Sequence, residues 1–206
     1  MTRKRTIDWL LKNYLPFLEK FGMDEKNIRE NYTSSWKKKN GDDVEGYLWS
    51  IFNLLIDENF KQSQAKDLDL KGYYDRNREI YGQMARFLVK YKKKPAGHLQ
   101  KLYNENYIKN QNQSLKDSVF QIDVTINCGA IDCKYGNELD RKLFSMKEAL
   151  ENSIIPYDKC TNELGCFCSY GIKPRRDEND NLIFTDDHLA KKESKKKKGF
   201  WSRLFS

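Results

Sequence analysis

Cysteine is absent before residue 128 and after residue 168, so all five cysteines fall within one short segment of the 206-residue chain. Histidine is scarce as well, since only His98 and His188 occur. Two isolated histidines argue against a histidine-based triad or metal centre. The sequence also has no phosphate-binding glycine loop, no Gly-x-Ser-x-Gly and no His-Glu-x-x-His. Enzyme activity is therefore uncertain, and a non-enzymatic role is the favoured expectation.

A long apolar run is also missing. No stretch approaches the roughly 20 apolar residues that a membrane-spanning helix needs. The basic start, Met1 to Arg5, resembles the first region of a signal peptide, but Asp8, Lys12 and Glu19 interrupt the residues that follow. We expect a cytoplasmic protein, in which reducing conditions leave thiols free to bind metal.

The charge of the chain is unevenly distributed. Hydrophobic residues make up 38% and charged residues 33%, and many aromatic residues can fill a core, which predicts a folded protein. The formal net charge is +8, and residues 189–206 carry +6 of it, as seven Lys and Arg less one Glu. The basic character thus belongs mostly to the tail and does not predict a broad nucleic-acid surface.

Helical periodicity dominates the first half of the chain. Apolar residues recur at helical spacing in segments 7–21, 43–62, 75–93 and 98–108. Asp42 or Asp43 is the predicted N-cap of the second segment, and Pro16 is expected to kink the first. The 43–62 helix carries the widest apolar stripe, extended by Trp49 and Leu54, so we expect it to be well buried. Residues 1–112 are predicted to form a helical bundle.

The period changes to two in residues 118–127, where apolar and polar residues alternate as in a half-buried strand. Ser145 and Glu148 form a capping-box pattern for a short helix. Residues 166–174 can form a strand, with 182–184 as its hairpin partner. The predicted fold class is α+β, mainly α: a helical domain (1–112), a small β-containing cysteine-rich module stabilised by zinc (113–187) and a disordered basic tail (188–206).

The cysteine spacing predicts a structural zinc site. A tetrahedral zinc ion needs four thiolate or imidazole ligands placed by short loops. Cys128 and Cys133 form one candidate pair, Cys160 and Cys166 the other, and bound zinc would fold a segment poor in apolar residues. Cys168 faces the same side of a strand as Cys166, so it either replaces Cys160 as a ligand or is a spare thiol.

Two other interpretations of the cysteines remain. Some of them could be small core residues, since free cysteine is often buried. A redox role is less favoured, because no Cys-x-x-Cys motif occurs.

The cysteine-rich segment resembles a known family. The residues in question are Cys128, Cys133, Leu143 to Leu150, Pro156, Cys160 to Glu163 and Gly165 to Cys168. Their order resembles the cysteine-rich C-terminal module of phage minor-head (head-morphogenesis) proteins and uncharacterised bacterial relatives. In this chain four residues rather than two separate the first two cysteines, and Phe167 stands where the family has arginine. The resemblance implies metal binding and adds a phage-related role as an alternative.

The tail combines lysines with aromatic and aliphatic residues on one helical face. A short basic amphipathic segment of this kind can rest on an anionic membrane or dock in a groove of a partner protein. It could also stack on single-stranded nucleic acid, or serve only for solubility. The predicted contact residues are Lys195, Lys196, Lys197, Lys198, Phe200, Trp201, Arg203, Leu204 and Phe205.

The sequence thus favours a zinc-binding interaction protein whose tail recruits it to a protein partner or to an anionic membrane surface. One alternative is a nucleic-acid-binding protein that uses the zinc module and tail. Another is a metal-dependent nuclease or toxin. Its carboxylates would come from Asp57, Glu58, Asp67, Asp69, Asp75 and Glu79. No small-molecule substrate is evident.

Overall fold

The structure is a computed structural model that describes residues 4–128, 133–152, 154–155 and 159–186. These residues are mainly helical and include a three-stranded antiparallel sheet, which confirms the predicted α+β, mainly α, class. The chain divides into two compact units, Met1–Leu68 and Asp69–Ser206. The tail predicted to be disordered lies outside the described residues.

Side chains cap the starts of three helices of the first unit. Thr6 accepts a hydrogen bond from the Trp9 amide, and Asp24 accepts one from Asn27. Asp43 accepts one from Gly46 at 2.9 Å, which confirms the predicted start of the longest helix. The helices are α1 (Ile7–Leu18), α2 (Glu25–Asn31), α3 (Lys37–Asn40) and α4 (Val44–Gln64), with a π-helical turn at Tyr32–Trp36 between α2 and α3.

The core of the first unit is aromatic. Phe52 of α4 is completely buried, and its ring lies 5.8 Å from that of Tyr14, 6.1 Å from Phe17 and 6.3 Å from Trp49. The expected wide burial of α4 was only partly right, because the Leu54 side chain is 57% exposed. The buried stripe is thus narrower than the sequence suggested.

The second unit pairs two long helices with the sheet. Helix α5 spans Leu70–Phe87 and continues as a π-helical turn at Leu88–Lys92, and α6 spans Gly97–Leu115. Ile108 of α6 is buried in the same hydrophobic cluster as Val124 and Ile126 of the sheet. Helix α6 thus shares a core with the sheet, and both belong to the unit that begins at Asp69. The boundary at residue 112 stays a prediction.

The sheet consists of β1 (Ile122–Asn127), β2 (Leu143–Ser145) and β3 (Ser169–Pro174). The strand order is β2-β1-β3, and both pairings are antiparallel. Val124 lies opposite Phe144 on one side and Ile172 on the other, and Asn127 lies opposite Ser169 at the end of the β1–β3 ladder. The capping box of Ser145 and Glu148 is present as predicted. Two short helices accompany the strands, α7 (Lys134–Leu139) between β1 and β2 and α8 (Met146–Glu151) after β2.

Asp123 departs from the alternating pattern. The sequence placed it on the solvent face of the strand, yet only 6% of it is exposed. Arg175, just after β3, covers it and donates from Nε to Asp123 Oδ1 at 2.8 Å. The predicted hairpin brings Arg175 there, since its backbone amide bonds to Gln121 and its carbonyl to Ile183. A buried carboxylate is stable there because it is paired and hydrogen-bonded.

Candidate metal centre

Cys128 and Cys168 meet at the end of the β1–β3 ladder. The last regular pair of that ladder is Asn127 with Ser169, so the two cysteines occupy the next pair of positions across the strands. Their Cα atoms are 4.0 Å apart and their sulfur atoms lie at disulfide distance. Both residues are almost completely buried, at 1% and 2% exposure. The strand pairing itself therefore brings together two thiols that are 40 residues apart in sequence.

Cys133 approaches this pair through the short helix α7. Its side chain caps α7, and its sulfur accepts a hydrogen bond from the Gly136 amide at 3.4 Å. A methyl group at Gly136 would lie 3.0 Å from the Cys168 sulfur and 3.3 Å from the Cys128 sulfur. The first turn of α7 therefore contacts three of the five cysteines at once.

Cys160 and Cys166 complete the cluster from the following loop. The Cys160 thiol lies close enough to those of Cys133 and Cys166 to interact electrostatically with both. Cys133, Cys160 and Cys166 are free thiols, and Cys160 is the most accessible of them. All five sequence-predicted ligands thus lie in one connected group.

The electrostatics of the three free thiols differ. Burial raises the pKa of Cys166 to about 11, since desolvation disfavours its thiolate. Burial also opposes ionisation of Cys133, but amide hydrogen bonds from Thr161 and Gly136 outweigh it, so its pKa lies below the usual value. Burial and the neighbouring Cys133 raise the pKa of Cys160. Cys133 is therefore the thiol whose surroundings best accept a negative sulfur.

The loop that carries the later cysteines is fastened to α6. Asn104 donates from Nδ2 to the Cys168 carbonyl at 3.1 Å, and the Ala96 amide donates to Leu164 at 3.2 Å. Gly165 has a φ of +105° and leaves no room for a side chain, because an added Cβ would lie 3.0 Å from the Gly97 nitrogen. These contacts set the position of Cys166 and Cys168 against the sheet.

Sequence reasoning did not identify the residues that support the cluster. Asp140 accepts a hydrogen bond from the Cys128 amide at 3.0 Å, Gly136 admits two sulfur atoms, and Asn104 holds the loop. Helix α7 has only six residues, too few to show a helical period. The one sequence signal for this helix is Cys133, because its sulfur can accept a hydrogen bond at a helix start. Cysteine is not among the preferred N-cap residues, so this signal does not predict a helix.

The five thiols are chemically suited to binding a soft metal ion, since soft metals prefer sulfur ligands and four of the five cysteines are buried. In the arrangement described, however, two of those sulfur atoms are committed to each other. In addition, no group of three or more His, Cys, Asp or Glu side chains within the described ranges, the three free thiols included, is positioned to hold a metal ion. A four-thiolate site would require Cys128 and Cys168 to be reduced.

The acidic residues considered for a nuclease have local roles where their contacts are defined. Asp69 caps α5 by accepting a bond from the Gly72 amide, and Asp75 pairs with Arg78 at 2.8 Å. Glu58 accepts a bond from Gln62 one turn further along α4. His98 is exposed at the start of α6, whereas His188 and the predicted tail contacts lie outside the described residues. The nuclease alternative gains no support from these contacts.

Replacing Gly136 by alanine is expected to disturb the cluster. The new methyl group would press on two sulfur atoms at 3.0 and 3.3 Å, and overpacking of this kind typically costs about 1–3 kcal/mol. The unfolding free energy of the reduced chain, measured by denaturant titration, should fall by that amount. Gly97→Ala is the matched control, because a methyl group there meets nothing within 4 Å. Equal stability of the two variants would contradict the close packing at Gly136.

Comparison with protein-family models, curated proteins and solved structures finds no match to this chain. The resemblance to phage minor-head proteins therefore stays a prediction. Of the described helices, none is both long enough and apolar enough to cross a membrane.

Proposed function

We propose that this chain is a non-enzymatic zinc-binding interaction protein. The observation that carries the proposal is the grouping of the cysteines: Cys128, Cys133 and Cys168 meet at Gly136, and Cys160 and Cys166 both interact with Cys133. Thiolates are the preferred ligands of structural zinc, and backbone amides such as that of Gly136 commonly orient such ligands. In the reduced protein, four of the five thiols would hold one zinc ion and fix the loops around the sheet.

The burial of the cluster supports a structural role for the proposed ion. Cys128, Cys133, Cys166 and Cys168 are each at most 2% exposed. A catalytic zinc keeps one coordination position open to water or substrate, whereas a structural zinc is enclosed by four protein ligands. An ion held among these buried sulfur atoms would be of the enclosed kind.

Elemental analysis of the purified, fully reduced protein tests the metal directly. We expect about one zinc ion per chain, retained through gel filtration. Reduced protein that carries no metal after incubation with zinc would overturn the proposal. Apparent structural-zinc affinities are high at neutral pH, so the result does not depend on a large excess of the ion.

The interaction role rests on the basic and aromatic tail. Its four consecutive lysines, Lys195 to Lys198, precede the apolar residues Phe200, Trp201, Leu204 and Phe205. Each lysine or arginine near an anionic membrane contributes about 1 kcal/mol, and the aromatic residues suit the interface. The protein would then be cytoplasmic and peripheral at a membrane, or bound to a protein partner through the same residues.

Deleting residues 191–206 should abolish binding to anionic vesicles while leaving the fold intact. The deletion removes seven positive charges, so sedimentation with phosphatidylserine-containing vesicles should fall at least tenfold. The circular dichroism spectrum of the remainder should keep its helical signature. A substitution of Lys195 to Lys198 by glutamine separates the charge effect from the aromatic one. Unchanged sedimentation of both variants would contradict the proposed binding of the tail to an anionic membrane.

A second candidate, nucleic-acid binding, is favoured by one surface of the second unit. Lys90, Lys92, Lys93 and Lys94 are all exposed, and the Ala96 amide joins the end of their segment to the cysteine loop at Leu164. Among the residues that the structure describes, no carboxylate pairs with Lys93 or Lys94. Binding to DNA or RNA that weakens steeply with salt, and that a change of these lysines to glutamine removes, would favour this candidate.

A further inference from the structure

The pairing of Cys128 with Cys168 limits which thiols can bind a metal ion. Five cysteines are available, and only three of them lie outside this pair. Any set of four thiolates must therefore include Cys128, Cys168 or both. A disulfide between the two leaves only Cys133, Cys160 and Cys166 as thiols, which is one ligand short of a four-thiolate zinc site.

We propose that the cysteine cluster is a redox switch in which the Cys128–Cys168 disulfide and the bound zinc ion exclude each other. This proposal rests on the zinc site proposed above and adds its regulation. The reduced cluster holds the ion, and oxidation by a hydroperoxide closes the pair and releases the ion. Reduction by a dithiol reopens the pair and restores the site.

The geometry favours this particular pair over the other thiols. Cysteines whose Cα atoms are more than 7 Å apart cannot be joined without backbone movement, and these two are only 4.0 Å apart. The ladder that ends at Asn127 and Ser169 holds the two residues opposite each other, so the two thiols are within reach of each other in the folded chain. The missing Cys-x-x-Cys motif argued against redox chemistry, but strand pairing supplies the second thiol that close sequence spacing usually provides.

The chemistry balances with hydrogen peroxide as the oxidant. One thiolate of the pair attacks the peroxide, so that an S–O bond forms, the O–O bond breaks and hydroxide leaves, taking up a proton to become water. The second thiolate attacks the oxidised sulfur, so that the S–S bond forms, the S–O bond breaks and a second hydroxide leaves as water. Two electrons pass from sulfur to peroxide, and the zinc ion departs unchanged as Zn²⁺.

The burial of Cys128 and Cys168 predicts that oxidation of the pair is slow. Both sulfur atoms are enclosed, so a water-sized oxidant should reach them far more readily than a bulky one. Hydrogen peroxide is small enough to reach the pair, whereas a large aromatic disulfide reagent should first modify Cys160, the most accessible thiol of the cluster.

The test compares one full-length preparation in two redox states. Reduced, zinc-loaded protein is treated with hydrogen peroxide, and released zinc is followed with a chromogenic chelator. Native mass spectrometry and peptide mapping report the metal content and the cross-linked cysteines. We expect about one zinc ion per chain to be released, a final mass about 2 Da below that of the reduced, metal-free chain, and a Cys128–Cys168 cross-linked peptide. Dithiothreitol and fresh zinc should restore the starting state, and the Cys168→Ser chain should give no cross-link at Cys128.

The outcomes separate this proposal from the one on which it rests. Zinc that stays bound to chains carrying the Cys128–Cys168 disulfide would overturn the switch and leave the zinc site standing. A peroxide-induced disulfide between other cysteines would overturn it as well. Failure of the reduced chain to bind zinc at all would overturn the proposed metal site itself, and the exclusion with it.

Discussion

Changing Cys133 to serine is expected to remove the zinc ion from the reduced protein and to destabilise the second unit. Metal content should fall from about one ion per chain to nearly none, since a hydroxyl is a poor replacement for a thiolate. Because the apparent binding free energy of structural zinc is about 10–16 kcal/mol in small zinc modules, the thermal midpoint of this unit should drop strongly. Elemental analysis and thermal circular dichroism give the two readouts.

Serine is an informative choice at this position. Cys133 caps α7, and serine is a better N-cap than cysteine, so the variant keeps the local helix start. A loss of metal then reports the ligand and not the cap. The four other single cysteine-to-serine variants complete the experiment, because five thiols for four positions should give one variant that keeps its zinc. Zinc retained by all five variants would contradict a four-thiolate site.

Truncating Phe52 to alanine is expected to destabilise the first unit by about 3–5 kcal/mol. The side chain is completely buried and packs against the rings of Tyr14 and Phe17, so the change leaves a cavity in the aromatic core. Denaturant unfolding followed by tryptophan fluorescence gives the measurement, since three of the four tryptophans, Trp9, Trp36 and Trp49, belong to this unit.

Phe60→Ala is the matched control for this experiment. It makes the same chemical change on the same helix, but the Phe60 side chain is 53% exposed. Its cost should therefore stay within roughly 0.5 kcal/mol. Similar losses for the two variants would show that the aromatic cluster around Phe52 does not dominate the stability of the unit.

The helices of the fold were predictable because their periodicity and caps are local properties. Asp43 caps the helix that the sequence assigned to it, and Gly22 ends the first helical segment with a φ of +76°. The exposure of Leu54 was not predictable in this way. A stripe of apolar residues shows which face of a helix is buried but not how wide the neighbouring surface is.

The candidate site shows the same division between local and long-range information. The restriction of cysteine to one segment was visible in the sequence, and all five cysteines do converge. Which thiol meets which was not visible, since it depends on the pairing of β1 with β3 across about 40 residues. The burial of Asp123 was missed for a similar reason, because its partner Arg175 lies 52 residues away in sequence and is brought beside it only by the pairing of β1 with β3.

The position of the cysteines at the end of a ladder makes the segment unusually sensitive to insertions and deletions. One extra residue between Ser169 and Pro174, with Pro174 still opposite Ile122, would put Ser169 opposite Cys128 and move Cys168 one step outward. Side chains alternate between the two faces of a strand, so the displaced sulfur would also point to the opposite side. Natural length variation in related chains should accordingly collect in the 177–180 turn and be excluded from residues 169–174.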